Sequence, residues 1–323
     1  METILVTGGA GFIGSHVARK LIATGRKVRV LDNFDPFYDV AIKRRNVEVT
    51  AAAAPPGTFE AVEGDFRDRE VAKRVTADVD GIIHLGALAG VRPSIQDPVR
   101  YMDVNVTGTQ ILLSAIQDRP GIPFVCASSS SVYGGNTKVP FAEDDPVDHP
   151  VSPYAASKKA CEVVCYTHHH LYGHPVTMLR FFTVYGPGQR PEMAIHLFSR
   201  KILAGETVPM FGDGTTRRDY TYVDDIVDGV VAALERASGY RIYNIGGSRT
   251  TELKTLIGLL GEVLDREVRI EQLPEQPGDV KQTWADPTRI EQELGFRPRI
   301  EIRDGLERFA AWYLAERKAG RLA

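Results

Sequence analysis

The sequence predicts an α/β fold with a Rossmann-type, doubly wound parallel sheet and a smaller C-terminal α/β domain. Through the first half, short apolar runs rich in β-branched residues alternate with helical patterns, as in a parallel sheet covered by helices on both faces. A glycine-rich turn follows the first apolar run. Beyond about residue 182, closely spaced prolines break the chain into shorter elements and indicate a second unit.

Each predicted element of the first half has its own apolar pattern. The predicted strands are residues 3–7, 28–32, 59–63, 81–85, 124–128 and 176–182. Helical patterns fall between them at residues 13–24, 69–77, 99–117 and 153–172. Residues 51–57, which end in Pro-Pro-Gly, are predicted to form a surface loop.

The second half contains helical patterns at residues 194–204, 253–264 and 303–315, separated by loops with Gly-Asp-Gly and Pro-Gly-Asp turns. Residues 223–245 have the pattern of a helix followed by a strand, which we expect to rejoin the first sheet. The predicted first domain is therefore residues 1–181 with 223–245, and the second is residues 182–222 with 246–323.

The composition is that of a globular protein of about two domains. Among the 323 residues, 39 Lys and Arg stand against 42 Asp and Glu, for a net charge of -3. This balance argues against an extended nucleic-acid-binding surface or a polybasic membrane-binding surface. The apolar runs are too short to span a bilayer, the N-terminus lacks a signal-peptide pattern, and three cysteines make no disulfide framework. We expect a soluble, cytoplasmic protein that binds neither nucleic acid nor membrane.

The strongest local signal is the turn between the first strand and the first helix, Thr7-Gly8-Gly9-Ala10-Gly11-Phe12-Ile13-Gly14. Its glycines permit a tight turn and a close approach of the backbone to a pyrophosphate, which the helix N-terminus attracts. Asp32 ends the second strand, where a carboxylate accepts hydrogen bonds from adenosine ribose hydroxyls and repels a 2′-phosphate. The predicted cofactor is therefore NAD, with contacts from Gly8, Gly11, Phe12, Ile13, Gly14 and Asp32.

A tyrosine, a lysine and a serine run form a candidate reaction centre. Tyr154 and Lys158 are spaced so that both side chains lie on one face of a helix. The ammonium and the positive nicotinamide ring of an oxidised cofactor would favour the phenolate that a general base needs. The run Ser128-Ser129-Ser130-Ser131 follows the fifth predicted strand, and a serine there can hydrogen-bond a substrate hydroxyl. Open α/β sheets bind ligands at these carboxyl ends.

Cysteines and histidines also cluster on the predicted helix 153–172, as Cys161, Cys165 and His168 to His170. Ligands seven or eight residues apart on one straight helix are separated by about 10–12 Å along its axis. Zinc needs every ligand atom within roughly 2.3 Å of one point. We therefore predict no metal site.

These motifs carry a family resemblance that runs from Ile4 to about Trp312. The chain resembles the extended short-chain dehydrogenases/reductases of the NAD-dependent nucleotide-sugar epimerase family, and is most similar to its UDP-glucuronate 4-epimerases. Further stretches support this, and residues 180–194 are the most discriminating. They are Asp32-Asn33-Phe34, Tyr38-Asp39, Lys43-Arg44, Ala89 to Ser94, Arg180 to Pro187, Arg190 to Ala194, Arg218 to Asp225 and Gln276 to Val280.

The resemblance implies further binding residues. For NAD they are Asn33, Lys43, Asp65, Phe66, Leu85 and Ala87, together with Tyr154 and Lys158. For the UDP-sugar they are Arg92, Ser129, Ser130, Ser131, Tyr154, Thr183, Arg190, Phe211, Arg218 and Asp279. It also implies a homodimer packed through the helix that follows the Tyr154–Lys158 motif.

The activity implied by the resemblance is 4-epimerisation of UDP-glucuronate to UDP-galacturonate. Tyr154 would take the proton of the sugar 4-hydroxyl while NAD⁺ accepts the C4 hydride, with Lys158 on the nicotinamide ribose and Ser129 bridging hydroxyl and base. The 4-keto sugar would then turn and receive the hydride on its other face. Because such a β-keto acid loses CO₂ readily, hydroxyl donors and Arg190 would hold its carboxylate out of alignment with the carbonyl.

Three alternatives stay open on the sequence. A UDP-glucose/UDP-galactose or N-acetylhexosamine 4-epimerase is the nearest, because Gly188-Gln189 stands where glucuronate enzymes of the family often have Trp-Gly. Gln276 also stands where UDP-galactose epimerases often have arginine. A UDP-glucuronate decarboxylase is less favoured, since the serine run lacks the acidic residue that such enzymes usually carry. A non-catalytic NAD-binding protein commonly loses the tyrosine or the lysine, and this chain has both.

Overall fold

The computed structural model describes residues 1–275 and 280–322 of the chain. Its strands are β1 (Thr3–Thr7), β2 (Lys27–Asp32), β3 (Phe59–Glu63), β4 (Gly81–His84), β5 (Phe124–Ser129), β6 (Val176–Phe181), β7 (Thr183–Tyr185), β8 (Val208–Phe211), β9 (Arg217–Tyr222), β10 (Tyr240–Ile245), β11 (Thr250–Glu252) and β12 (Ile270–Leu273).

The helices are α1 (Phe12–Ala23), α2 (Val40–Ala53), α3 (Arg69–Thr76), α4 (Val91–Gln96), α5 (Pro98–Tyr101), α6 (Gly108–Ile116), α7 (Pro153–Tyr172), α8 (Ala194–Ala204), α9 (Val223–Glu235), α10 (Leu253–Leu264), α11 (Thr288–Leu294) and α12 (Ile302–Lys318). A π-helical segment, Met102–Thr107, joins α5 to α6, and a 3₁₀ turn, Ser130–Tyr133, follows β5. Within the described ranges, no helix is both long and apolar enough to cross a membrane.

A seven-stranded parallel sheet forms the centre of the protein, in the order β3-β2-β1-β4-β5-β6-β10. Alternate residues point to opposite faces, as the period of a strand requires. Val6 and Ile83 pack against α1 and α9, whereas Leu5 and Ile82 pack against α3, α6 and α7. Helices therefore bury both faces, which confirms the predicted doubly wound fold.

Residues beyond 182 build two smaller sheets, β11-β9-β7 and β12-β8. The strand β10 instead pairs with β6 in the large sheet, with Ile245 opposite Phe181. Consequently the chain leaves the large sheet after β6 and returns to it at the strand predicted within residues 223–245. The division into two domains at the stated boundaries stays a prediction.

Two stretches differ from their predicted elements. Residues 51–53 belong to α2, so the loop predicted for residues 51–57 is wrong over its first turn. The buried residues of α2 are Lys43 and Thr50, so the helix has no apolar stripe that periodicity could detect. The helix predicted over residues 99–117 is divided into α5, the π-helical segment and α6.

Several buried histidines give the fold a predictable acid sensitivity. Burial lowers the pKa of His16, His168 and His196 to about 4 and that of His84 to about 3. His196 packs against the rings of Phe309 and Tyr313, and neither of its ring nitrogens has a described hydrogen-bond partner. Protonating such a group inside the fold is therefore costly.

We expect the free energy of unfolding to fall as the pH drops from 6.5 toward 4. The unfolded chain binds protons at its histidines below pH 6.5, while the folded histidines stay neutral until their lowered pKa is reached. His196 alone should account for about 2 kcal/mol between pH 7 and pH 5. Urea unfolding of the wild type and His196→Leu at both pH values measures this. An identical loss of stability in the leucine variant would contradict the assignment to His196.

Candidate active site

The glycine turn is built for a close backbone approach at the start of α1. Gly8 has a φ of +65°, and a Cβ on it would lie 2.7 Å from the backbone nitrogen of Gly86. A Cβ on Gly14 would overlap the carbonyl oxygen of Gly8. Gly11 precedes α1 without a side-chain cap, so the helix N-terminus offers unblocked N–H groups. These features fit a pyrophosphate held by backbone donors.

Asp32 lies beside this turn with its carboxylate held in place. Its Oδ2 accepts a hydrogen bond from the backbone N–H of Ala10 (3.1 Å), and its Oδ1 accepts one from Phe34 (2.9 Å). Burial raises the pKa of Asp32, and the positive charge of Lys43 partly offsets that rise. Lys43 Nζ donates to the carbonyl of Asp35 at 2.8 Å and lies 4.8 Å from the ring centroid of Tyr38.

A cleft of about 390 Å³ opens at the carboxyl ends of the sheet strands, next to the glycine turn and Asp32. It is lined by most of the predicted site residues, namely Gly8, Gly11, Phe12, Ile13, Gly14, Asp32, Asn33, Lys43, Phe66, Leu85, Ala87, Ser129, Ser130, Ser131, Tyr154, Lys158, Thr183 and Arg190. Asp65 lies behind this lining, where it accepts a hydrogen bond from Asn33 Nδ2 (3.0 Å) and pairs with Arg67 (2.7 Å).

Tyr154 and Lys158 are presented to the cleft by the first turns of α7. The helix starts with Ser152 as its cap, whose Oγ accepts from the backbone N–H of Ala155 at 3.1 Å. Lys158 is buried, and its Nζ donates to the carbonyl of Ala127 on β5 at 2.8 Å. This bond ties α7 to the strand that ends in Ser129. The tyrosine, the lysine and the serine therefore face one cavity.

Further polar side chains of the cleft come from two other strand ends. Ser129 ends β5, and its Oγ accepts from the backbone N–H of Ser131 at 3.1 Å. Thr183 opens β7 and also lines the cleft. Arg190 follows in the next loop, with its guanidinium 5.6 Å from the ring centroid of Phe37 and 3.3 Å from a Glu192 carboxylate oxygen. The lining of the cleft thus includes neutral hydroxyl donors together with Arg190.

The acidic groups of this cleft lie at its cofactor end. Within residues 1–275 and 280–322, the carboxylates that line it are those of Asp32, the last residue of β2, and Asp35, in the connection from β2 to α2. The serine run contributes hydroxyls only. The other titratable side chains that line the cleft in the described ranges are Tyr38, Lys43, Tyr154, Lys158 and Arg190.

A second cavity of about 350 Å³ collects the remaining predicted substrate residues that the structure describes. Arg92, Phe211 and Arg218 line it, and the guanidinium of Arg92 lies 5.7 Å from the ring centroid of Phe211. The predicted Asp279 lies outside the described residues. The polar lining residues that the sequence did not predict are Glu192, Thr216, Tyr220, Glu275 and Lys281. The alternation of β9, which places Tyr220 on the face of Arg218, is the one signal that could have found any of them.

Arg218 and Tyr220 on β9 are held in place by the buried Asp219 between them. Asp219 accepts hydrogen bonds from the backbone N–H groups of Gly247 (2.6 Å), Ser248 (3.1 Å) and Ala285 (3.1 Å). Burial raises its pKa to about 6. This carboxylate therefore supports the wall of the second cavity and does not line it.

The cysteines and histidines of α7 form part of the packed interior. Cys161 and Cys165 are buried free thiols, as is Cys126 on β5. His168 stacks on His174 with ring centroids 4.9 Å apart. The described residues include no group of three or more His, Cys, Asp or Glu side chains placed to hold a metal ion.

Comparison with known proteins identifies the family of this chain. The profile of the NAD dependent epimerase/dehydratase family matches residues 4–246. A UDP-glucuronate 4-epimerase of Thermodesulfobacterium geofontis is 40% identical over 315 residues, which cover 97% of this chain and 96% of that protein. UDP-glucuronate 4-epimerase 3 of Arabidopsis thaliana is 41% identical over 342 residues, covering 99% of this chain and 78% of that protein.

A solved structure extends the likeness to three dimensions. The crystal structure of the UDP-glucuronic acid 4-epimerase from Bacillus cereus, in complex with UDP-glucuronic acid and NAD, matches this chain with a TM-score of 0.91 at 34% identity. The match covers 97% of this chain and 99% of that one. Sequence and structure therefore confirm the predicted resemblance, and the chain belongs to the NAD-dependent epimerase/dehydratase family.

Proposed function

We propose that this protein is an NAD-dependent 4-epimerase that interconverts UDP-glucuronate and UDP-galacturonate. The observation that carries the proposal is the lining of the cleft, where Tyr154 and Lys158 occur together with serine hydroxyls, Thr183 and Arg190, and where the described carboxylates are those of Asp32 and Asp35. Relatives at about 40% identity that are named UDP-glucuronate 4-epimerases support it.

The cofactor site fits NAD. The glycine turn and the N-terminus of α1 would hold the pyrophosphate, and Asp32 would accept the adenosine ribose hydroxyls. When bound, NAD supplies reversible oxidation at the sugar C4. Asn33, Lys43, Phe66, Leu85 and Ala87 would complete this half of the cleft, with Asp65 behind them.

The proton chemistry belongs to Tyr154. Its phenolate oxygen would take the proton of the sugar 4-hydroxyl as the ketone forms, and the resulting phenol would return that proton to the oxygen of the inverted alcohol, which is general acid–base catalysis by one group. Lys158, fixed by its bond to Ala127 and one helical turn from Tyr154, would hold the nicotinamide ribose beside that tyrosine. Ser129 would share a hydrogen bond with the reacting hydroxyl and thereby hold it against the base.

The sugar carboxylate needs donors that keep it away from the reacting carbon. Ser129, Ser130, Ser131 and Thr183 would supply neutral hydroxyl donors, and Arg190 would supply the charged partner. No acidic side chain stands in the serine run to move a second proton, which disfavours elimination and decarboxylation.

The second cavity would take the uridine diphosphate. Phe211 offers a ring to stack on the uracil, and Arg92 and Arg218 offer charge to the diphosphate. Asp279 is proposed to contact the uridine ribose. The substrate would thus lie between the two proposed domains, 1–181 with 223–245 and 182–222 with 246–323, because each cavity is lined by residues of both.

We also infer that the protein works as a cytoplasmic homodimer packed through α7. Val163, Tyr166 and Leu171 on this helix are exposed by 53%, 52% and 62%. A second copy that covers them would remove exposed apolar surface from water. Sedimentation at micromolar concentration would show a dimer, and a monomer there would remove this part of the proposal.

Incubating the purified protein separately with UDP-glucuronate, UDP-glucose and UDP-N-acetylglucosamine tests the proposed function. We expect UDP-galacturonate to form from the first at the highest kcat/KM. Turnover of the neutral sugars alone would show a neutral-sugar epimerase. Release of CO₂ with a UDP-pentose would show a decarboxylase, and NAD binding without any turnover would show a non-catalytic protein.

Arg190→Ala is expected to lower kcat/KM for UDP-glucuronate by about 10- to 100-fold, the value of one hydrogen bond to a charged group. The inhibition constant of UDP, which has no sugar carboxylate, should stay unchanged. Steady-state kinetics with UDP as a competitive inhibitor measures both. An equal loss of UDP affinity would place Arg190 at the nucleotide instead.

A further inference from the structure

A buried ion pair lies directly behind the serine run. Glu162 on α7 and Arg180 on β6 are each 1% exposed, and they meet through two bonds, Nε to Oε1 (2.8 Å) and Nη2 to Oε2 (3.0 Å). Tyr154, Lys158 and Glu162 follow one another at intervals of one helical turn on α7. The pair therefore lies on the same side of the helix as the proposed base.

The carboxylate of this pair holds the start of the serine run. Ser128 Oγ donates to Glu162 Oε1 at 2.7 Å, and Ser128 directly precedes Ser129 on β5. One residue earlier, the carbonyl of Ala127 accepts from Lys158 Nζ. Two successive residues of β5 are thus bonded to side chains on two successive turns of α7. These bonds fix the distance between the strand end and the helix.

The guanidinium of the pair holds the end of the serine run. Arg180 Nη1 donates to the hydroxyl of Tyr133 (2.9 Å) and to the carbonyl of Glu143 (3.1 Å). Tyr133 closes the 3₁₀ turn that begins at Ser130, and its own hydroxyl donates to Asn244 Oδ1 at 2.6 Å. The residues on both sides of Ser129–Ser131 therefore bond to one ion pair.

Stability does not explain why charges occupy this place. Removing two charges from water costs about as much as their attraction returns, so well-packed apolar side chains often serve the fold equally well. What an apolar pair cannot do is set hydrogen-bond directions at Ser128 and Tyr133. We propose that Glu162 and Arg180 are positioning residues that hold Ser129–Ser131 in register with Tyr154, a proposal that rests on the proposed function.

The test uses the hydroxyls that the pair holds, because replacing Glu162 or Arg180 alone leaves an unpaired buried charge that destabilises the fold. Ser128→Ala removes the bond to Glu162 and keeps the ion pair. Tyr133→Phe removes the bond from Arg180 together with the bond to Asn244, and it also keeps the ion pair. We expect either to lower kcat for UDP-glucuronate by about 10- to 100-fold through misplaced serines, with KM and NAD affinity unchanged. Ser128→Thr, which keeps the hydroxyl, should restore kcat.

Tyr243→Phe is the matched control, since its hydroxyl donates to Glu293 at 2.7 Å on α11, away from the serine run. It should keep the wild-type kcat. Wild-type kcat in both Ser128→Ala and Tyr133→Phe would overturn the proposal. The proposal would also be overturned if Ser128→Ala, Tyr133→Phe and Tyr243→Phe all lost kcat in proportion to a lower Tm. Failure of Ser128→Thr to restore kcat would overturn it too.

Amide hydrogen exchange over residues 129–133 gives a readout that needs no substrate. We expect exchange there to rise by about tenfold in Ser128→Ala and Tyr133→Phe, and to stay at the wild-type rate in Tyr243→Phe. Unchanged exchange in the first two would overturn the positioning role. If the wild type itself leaves UDP-glucuronate unchanged, the proposed function fails, and the exchange data still decide the positioning role.

Discussion

Replacing Tyr154 by phenylalanine is expected to lower kcat by about 10³-fold, because the ring remains and the proton acceptor is lost. In the proposed reaction, Tyr154 moves the proton of the sugar 4-hydroxyl, because serine hydroxyls are poor bases and the lining carboxylates among the described residues, Asp32 and Asp35, lie beside the proposed NAD site. Affinity for NAD and for the UDP-sugar should persist. Steady-state kinetics and calorimetric titration with UDP measure the two effects separately.

The matched control is Tyr172→Phe, the same substitution at the end of the same helix, at a side chain that is 42% exposed. It should keep the wild-type kcat. If Tyr154→Phe also turned over at the wild-type rate, another group would have to be the base. A lower affinity for UDP in the calorimetric titration, without a fall in kcat, would make Tyr154 a binding residue.

Replacing Gly14 by alanine is expected to raise the dissociation constant of NAD by about 100-fold, equivalent to roughly 3 kcal/mol. The new Cβ would overlap the carbonyl oxygen of Gly8, and its next neighbour would be the Cα of Gly9 at 2.8 Å. Both are backbone atoms of the turn, so the turn itself must move. Fluorescence titration of the protein with NADH measures the loss.

The chain offers a matched control at Gly258, inside α10, where an added Cβ meets nothing within 4 Å. Gly258→Ala should keep NAD affinity and stabilise the protein by about 0.5–1 kcal/mol, because alanine costs less backbone entropy in a helix. Wild-type NADH affinity in Gly14→Ala would show that the glycine turn does not hold the cofactor. Equal losses in both variants would point to general destabilisation.

Much of the cleft was predictable because its signals are local. The glycine turn, Asp32 and the Tyr154–Lys158 pair can each be recognised from a short stretch of sequence. A parallel sheet then brings them together, since the carboxyl ends of its strands share one edge. The serine run at the end of β5 followed from the same rule. These residues line one cleft in the structure.

The remaining features depend on contacts between distant residues. Arg92 meets Phe211 across the second cavity, although one follows β4 and the other ends β8. The sequence did not predict helix α2, because the buried residues of this helix are Lys43 and Thr50 and they form no apolar stripe. The sequence places Glu162 on a helix and Arg180 on a strand, but it does not show that they form a buried ion pair. Periodicity reports which face a residue occupies and not which partner it meets.

Turnover of UDP-glucuronate that carries deuterium at C4 tests the central claim most directly. The proposed reaction removes hydrogen from C4 and returns it to the same carbon, while Tyr154 exchanges only the hydroxyl proton. In ordinary water, the UDP-galacturonate formed should therefore keep its C4 deuterium, as mass spectrometry and NMR would show. Loss of that deuterium to solvent, or its retention in a substrate that never inverts, would contradict the account.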